Sequence, residues 1–526
     1  LLAGIAVLLL AFLYYYIELP AINIHESGFW FFLVAVIGII VVVYAIRKRL
    51  YGTIQLKQSK GIKAGVILML VIIAVYAVGS LLSSPIINAK KYQNLVTPEK
   101  RDFTEDIQEI SFNQIPLLDK DSAVLLGNRK MGSMVDMVSQ FEVSDLYSQI
   151  NYQGQPYRVT PLVYANAIKW LTNQKDGIPA YIRIDMATQN TELVKLEDGI
   201  KYSESELLNR NIYRHLRFRY PTYMFDQLSF EINDDGVPYW ICPVKKFNIG
   251  LFGGQTIGKV VLCNAITGET EEYKIKDCPQ WVDRAYPADL LIDLYNYHGT
   301  LKNGFFNSVL GQKGCLKTTD GYNYLALEDD VWVYTGITSV SGDRSNVGFI
   351  LMNQRTMETR YYSCAGAEEY SAMESAEGQV QNLKYTAAFP LLLNISNEPT
   401  YFMALKDGAG LVKKYAMVNI QKYQNVAIGD TVSECEKAYV KLLASNGITS
   451  TDEKSTGTNE ISGKIKRIGQ AVIDGNSHFY LALEENDEVY DVPVVDYPEI
   501  VTYDVGDEIT LEYSEDSPAN VVLGIK

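Results

Sequence analysis

The stretch VVLCNAITGETEEYKI, residues 260–275, reads as two short strands joined at Thr267-Gly268. Almost the same phrase occurs twice more, as YIRIDMATQNTELVKL at 181–196 and FILMNQRTMETRYYSC at 349–364. Laid over one another without a gap, the three carry Asp185, Asn264 and Asn353 at the fifth position. Thr188, Thr267 and Thr356 share the eighth, and Thr191, Thr270 and Thr359 the eleventh. An internal repeat of this kind decides how the whole chain is to be divided.

The repeat extends upstream. PYRVTPL (156–162) and PYWICPV (238–244) agree on proline, tyrosine, a β-branched residue and a second proline, and the second follows the turn signal NDDG (233–236). YNYLALEDD (322–330) precedes the third copy, after TTDG. PTYFMALKD (399–407) opens a fourth, in which Asn419 echoes Asn264 and Asn353 without the threonines. Apolar residues at three and four spacing predict helices before each strand pair: 133–150, 206–220 with 223–230, 287–301 with 305–310, and 367–381. The unit is then helix, strand, strand, repeated four times. Half-apolar hairpins need a cover, so antiparallel sheets with helices on one face are the expected architecture, neighbouring units sharing sheet edges or packing back to back.

These residues resemble the PepSY class of small extracytoplasmic domains, in which a strand opening with tyrosine or tryptophan is followed by one ending in [DN]-A-x-T-G-E. CNAITGETEEY is the nearest match, and glycine is kept only at Gly268. The whole chain is similar to large membrane proteins of Gram-positive bacteria, a likeness that brings no activity with it. The resemblance implies inhibitory or interaction modules without catalysis. The bare chemistry of the turn asks for no ligand: Gly268 supplies positive φ, and Asp185, Thr188, Asn264, Thr267, Asn353 and Thr356 bond the local backbone.

Charge is unevenly placed. The net charge is −15, yet the first 63 residues hold six basic and two acidic side chains, leaving +4 there and −19 elsewhere. The acidic remainder excludes a nucleic-acid footprint. Three apolar runs, 1–17, 29–46 and 64–82, have the length of membrane spans. Leu1 already lies inside such a run, so the true start is expected upstream. Arg47, Lys48, Arg49, Lys57, Lys60 and Lys63 all lie between the second and third runs or at their edges, which assigns that loop to the cytoplasm and everything after about Ser84 to the outside. The expected setting is the plasma membrane, multi-pass, with the lipid bilayer as one partner.

The fold class expected is an α-helical membrane anchor, an α+β extracytoplasmic region of tandem helix-strand-strand units with antiparallel sheets, and a small all-β barrel. The divisions are 1–84 (spans), 85–120 (connection), 121–200, 201–280, 281–364 and 365–444 (repeat units 1 to 4), 445–460 (a Ser, Thr and Gly-rich linker) and 461–526 (barrel). The last segment alternates through about five strands with a turn at Asp474-Gly475, and YDVGDEITLEY resembles the late strands of an OB-type fold. Its acidity points to cell-wall polymer or protein as partner, and a purely structural barrel, binding neither, ranks ahead of both.

Six cysteines lack zinc spacing, and Cys242 with Cys263 are placed to face each other as a disulfide across a hairpin; free buried thiols are the alternative. No nucleophile elbow, Walker loop, dinucleotide fingerprint or H-E-x-x-H occurs, and no cofactor or metal is expected. The one catalytic pair to weigh is His298 with Cys315, near Asp289 and Asp293. The acidic turns LEDD (327–330) and NDD (233–235) lack calcium-loop spacing. The reading is a non-enzymatic envelope protein binding a protein partner or a second copy of itself. A hydrolase or protease regulator and a ligand-sensing or transport accessory are the alternatives.

Overall fold

The computed structural model describes residues 2–50, 59–107, 116, 118–340, 345–446, 459–473, 476–484, 486, 488–494, 497–514 and 519–526. The contacts divide the chain into Leu1–Asn446 and Gly447–Lys526.

The first unit begins with three apolar helices, α1 (Leu2–Glu18), α2 (Ser27–Leu50) and α3 (Lys60–Ser83). α2 and α3 are long and apolar enough to cross a membrane; α1 is shorter. Most of their large apolar side chains face outward, and α2 and α3 are almost wholly unburied. α2 and α3 are antiparallel, with Gly61 beside Tyr44, Gly65 beside Val41, and Trp30 and Phe31 against Tyr76. α4 (Pro85–Gln93) follows α3 after Ser84, which is extended, and proline at its first turn suits a helix start. β1 (Glu99–Arg101), α5 (Phe103–Asp106) and α6 (Lys120–Gly132) come next, α6 capped by Asp119, whose carboxylate accepts from Ser122 N at 2.9 Å.

Each repeat is a four-strand antiparallel meander, two strands more than the helix-strand-strand unit expected. The first has β2 (Phe141–Val143) as an extra edge, then β3 (Ser148–Tyr152), β4 (Gln155–Tyr164), α7 (Ala167–Asn173), β5 (Ile178–Asp185) and β6 (Thr191–Ile200). The second follows α8 (Ile212–Arg219): β7 (Ser229–Ile232), β8 (Pro238–Ile249), β9 (Gly253–Asn264) and β10 (Thr270–Lys274). The third follows α9 (Ala288–Thr300) and β11 (Leu316–Thr318): β12 (Asn323–Leu327), β13 (Asp330–Ser339), β14 (Ser345–Asn353) and β15 (Thr359–Ala367), to which β1 adds in parallel. The fourth follows α10 (Glu369–Gln379) and β16 (Thr386–Ala387): β17 (Leu391–Ile395), β18 (Glu398–Lys406), β19 (Val412–Asn419), β20 (Val426–Gly429), then α11 (Val432–Ser445).

Two helix expectations are corrected. Residues 133–150 hold turns and strands, the helix lying earlier in α6, and 223–230 is irregular until β7 begins. In β3, consecutive residues Ser148, Gln149 and Ile150 are all buried. A strand covered on both faces loses its alternation, so its apolar spacing mimics a helix.

The sheets pack face to face, and β8 and β9 record this in their alternation. Trp240, Cys242, Val261 and Cys263 join a core with Ile150, Ile182 and Ile184 of the first meander, whereas Ile241, Val260 and Leu262 join one with Leu291, Val333 and Ile350 of the third. The two faces of one hairpin thus belong to two cores.

The residues Gly447–Lys526 contain a closed five-strand barrel: β21 (Asn459–Ile473), β22 (Asn476–Leu483), β23 (Val489–Pro493), β24 (Glu508–Ser514) and β25 (Asn520–Ile525), in the order β21-β22-β23-β25-β24. Its core is Ile465, Leu481, Tyr490, Val492, Leu511 and neighbours. Most of the predicted linker (447–458) and the Asp474-Gly475 turn lie outside the described residues.

Candidate functional site

The repeated turns are built alike. Asp185, Asn264 and Asn353 each accept two backbone N–H bonds through one side-chain oxygen, from residues two and three ahead, at 2.8–3.0 Å. Thr188, Thr267 and Thr356 each accept from the N–H two ahead at 3.2–3.3 Å. Gln189, Gly268 and Met357 follow with φ of 60°, 76° and 67°. One side-chain oxygen of each Asx and each threonine is thus spent on backbone, which is turn chemistry. In the fourth unit Asn419 accepts from Lys422 N, three ahead, in a longer loop.

The disulfide expectation is corrected by register. Cys242 lies opposite Val261 and Cys263 opposite Trp240, so the thiols are diagonal neighbours on one face, and both are free. All six cysteines are free and buried. Burial pushes the Cys263 thiol up to about 12. His298 and Cys315 have separate partners: His298 Nδ1 lies 3.1 Å from Gln93 O, while Cys315 Sγ donates to Thr300 O and receives Asn307 Nδ2. Asp289 accepts from Tyr322 Oη at 3.3 Å, and burial with the Asp289 charge raises Asp293. The acidic turns are structural as well. Glu328 and Asp329 form a two-residue hairpin loop at φ 54° and 61°, Asp330 pairs with Arg355, and Asn233 accepts from Asp235 N and Val237 N. Among the described residues no group of three His, Cys, Asp or Glu could hold a metal ion.

All four meanders contribute to one cavity of about 560 Å³ that none of these residues marks except Asp289. Arg158 of β4, only 4% exposed, lines it and donates through Nε to Leu118 O at 3.3 Å, with no carboxylate partner among the described residues. Burial lowers its pKa. Arg284 lines it too, its Nε unpartnered, and Gln149 has both amide atoms buried without a partner. Lys406 is tied to Asp119, while Asp121, Asp145 and Asp289 are exposed around the wall.

Beside this cavity two carboxylates are buried where the first three meanders meet. Glu231 of β7 accepts from Asp283 N (2.9 Å), Arg284 N (3.1 Å) and Ser229 Oγ (3.1 Å). Asp283 accepts from Asn151 N at 2.7 Å, and its other oxygen has no partner. Desolvation pushes Glu231 up to about 7, and desolvation together with the Glu231 charge raises Asp283 well above the carboxylate range. Arg158 and Glu231 were visible in the sequence as lone charges inside apolar strand runs, PYRVTPLVY and SFEI.

The ends of α1 and α3 meet α8 and the β8–β9 turn in a third polar site. Arg214 Nε donates to Tyr16 O (3.3 Å) and Arg217 Nε to Leu19 O (2.8 Å), at the end of α1. Ser83 Oγ, at the end of α3, accepts from Leu251 N (2.8 Å) and Phe252 N (3.2 Å), while His25 Nδ1 lies 2.7 Å from Leu251 O. Phe252 packs on Trp30 and Tyr76. The last carbonyls of a helix lack intrahelical donors, and arginine supplies them. No protein-family model and no curated protein matches the chain.

Proposed function

We propose that the chain is a non-enzymatic, membrane-anchored cell-envelope protein whose PepSY-like units stand outside the plasma membrane and bind a protein partner or a second copy. The observation that supports this reading is the bonded seam that ties α8 and the β8–β9 turn to the ends of α1 and α3. The far end of α2 carries Arg47, Lys48 and Arg49, which favours the cytoplasm for that end and the outside for the meanders. The barrel is read as OB-like on three grounds: its strand order, the parallel pair β23–β25, and the short helical turn Pro498–Thr502 before β24. Crosslinking in native membranes tests the proposal. A discrete adduct formed from outer-face residues supports it; a chain recovered only as an uncrosslinked monomer opposes it.

The second reading, ligand sensing or transport accessory, is favoured by the cavity around Arg158 and Arg284. Native mass spectrometry of the full chain should then retain a small molecule that Arg158→Gln loses. The hydrolase reading needs His298 to activate Cys315, and each is engaged elsewhere.

A further inference from the structure

The segment NGFFNSVLGQKGC, residues 303–315, held the weighed Cys-His pair but has another use. Phe306 and Leu310 are 69% and 80% exposed, among the highest values for large apolar side chains beyond the three N-terminal helices, and Val309 beside them is 56% exposed. Such side chains normally seek a cover. The backbone that bears them is held firmly. Asn303 Nδ2 and Asn307 Nδ2 both donate to Lys313 O (2.9 and 3.1 Å), Lys313 N donates to Asn307 Oδ1, and Cys315 is buried beneath with its Sγ on Thr300 O. The loop therefore displays its apolar tip on a braced base.

Its position says what covers it. Phe305 packs against the buried cluster of Tyr92, Ile249 and Leu301, as Ala89 and Leu95 do, and Tyr92 Oη donates to Ser83 O at 2.7 Å, so the base of the loop sits by the helix that directly follows α3. Leu81, Leu82, Ile86 and Ile87 are exposed along the same junction and continue the apolar surface of the span. Lys90, Lys91, Lys302 and Lys313 are exposed around it, a basic group in a region that is otherwise strongly acidic. An apolar tip flanked by lysines is the chemistry of a segment seated at the headgroup boundary, with side chains among acyl chains and cations among phosphates.

We propose that residues 304–313 dip into the outer leaflet beside α3, a second attachment that fixes how the third meander tilts over the membrane. This rests on the reading of α3 as a span. The test uses the full chain in nanodiscs of mixed zwitterionic and anionic phospholipid. As the native thiols are all buried, an environment-sensitive maleimide dye reports one introduced cysteine at a time: Leu310→Cys, Leu70→Cys in α3, or Gln421→Cys in the fourth unit. Nitroxide on the lipid chains should quench the dye at 70 and 310 and leave it unchanged at 421. Quenching at 70 without quenching at 310 overturns the inference and leaves the span standing. No quenching at 70 overturns both. Phe306→Ser with Val309→Ser should abolish the quenching of a dye at 310 while leaving that at 70 intact; unchanged quenching at 310 also counts against the proposal.

Discussion

The turn after β9 and its counterparts after β5 and β14 share the same Asx and threonine bonds to backbone N–H, yet only the first has glycine at the left-handed position. A Cβ on Gly268 would lie 2.3 Å from the Tyr202 ring, and its carbonyl meets His215 Nε2 at 2.8 Å. Gln189 and Met357 hold the same backbone without glycine. The turn's shape thus comes from the Asx acceptor and threonine; the glycine answers to a neighbour. The same comparison two residues before the Asx acceptor, at the third position of the repeat, sets Arg183 against Leu262 and Leu351. Arg183 is partly exposed, pairing with Glu192 over the Tyr152 and Tyr157 rings, whereas Leu262 is buried against the third meander. Position in the stack, more than the repeat itself, selects the residue.

The largest effect should come from that third position. Leu262→Ala opens a hole between two sheets and is expected to cost roughly 2–5 kcal/mol in urea unfolding, while Arg183→Ala should cost about 1 kcal/mol or less. Equal costs would break the distinction between covered and uncovered faces. Next, Gly268→Ala combines positive φ with the Tyr202 clash and should cost roughly 2–4 kcal/mol. Gln189→Ala should stay within about 0.5 kcal/mol, and Tyr202→Ala should recover part of the Gly268→Ala loss if the ring is the cause.

A pH dependence follows at the junction of the first three meanders. Glu231 has a folded pKa raised to about 7 from an ordinary 4.5, so the native state holds its proton more tightly than the unfolded chain. That stabilisation is complete below about pH 4.5, declines as pH rises, and is lost by about pH 7; Asp283, raised further, extends the decline upward. The melting midpoint should therefore fall between pH 5 and 8, with a shallower slope in Glu231→Gln; an unchanged slope would contradict the assignment. A small effect is expected in the threonines. Thr188→Ala and Thr267→Ala each remove one bond to an exposed N–H and should cost about 0.5–1 kcal/mol alike, since their geometry is the same.

The apolar helices, the hairpins at 181–196, 260–275 and 349–364, and a five-strand terminal barrel were all legible in the sequence, because each has a strong local period. The first strands of the first and second meanders were not. Residues 148–150 and 229–232 are buried on both faces, which erases the alternation that reports a strand. The Cys242–Cys263 pairing failed because a register shift of two residues is invisible without knowing which strand residues oppose. The cavity was hidden for a related reason: its walls come from four units, and spacing along the chain says nothing of Arg158 and Arg284 converging.

The central claim is that the meanders stand outside the membrane on spans whose basic ends lie inside. Single cysteines at Gln421 and Lys60, probed with a membrane-impermeant maleimide on intact cells, test it most directly, the native thiols being buried. The account predicts labelling of Gln421→Cys before permeabilisation and of Lys60→Cys only after it. Labelling of Lys60→Cys from outside, with Gln421→Cys protected until the cells are opened, would contradict it.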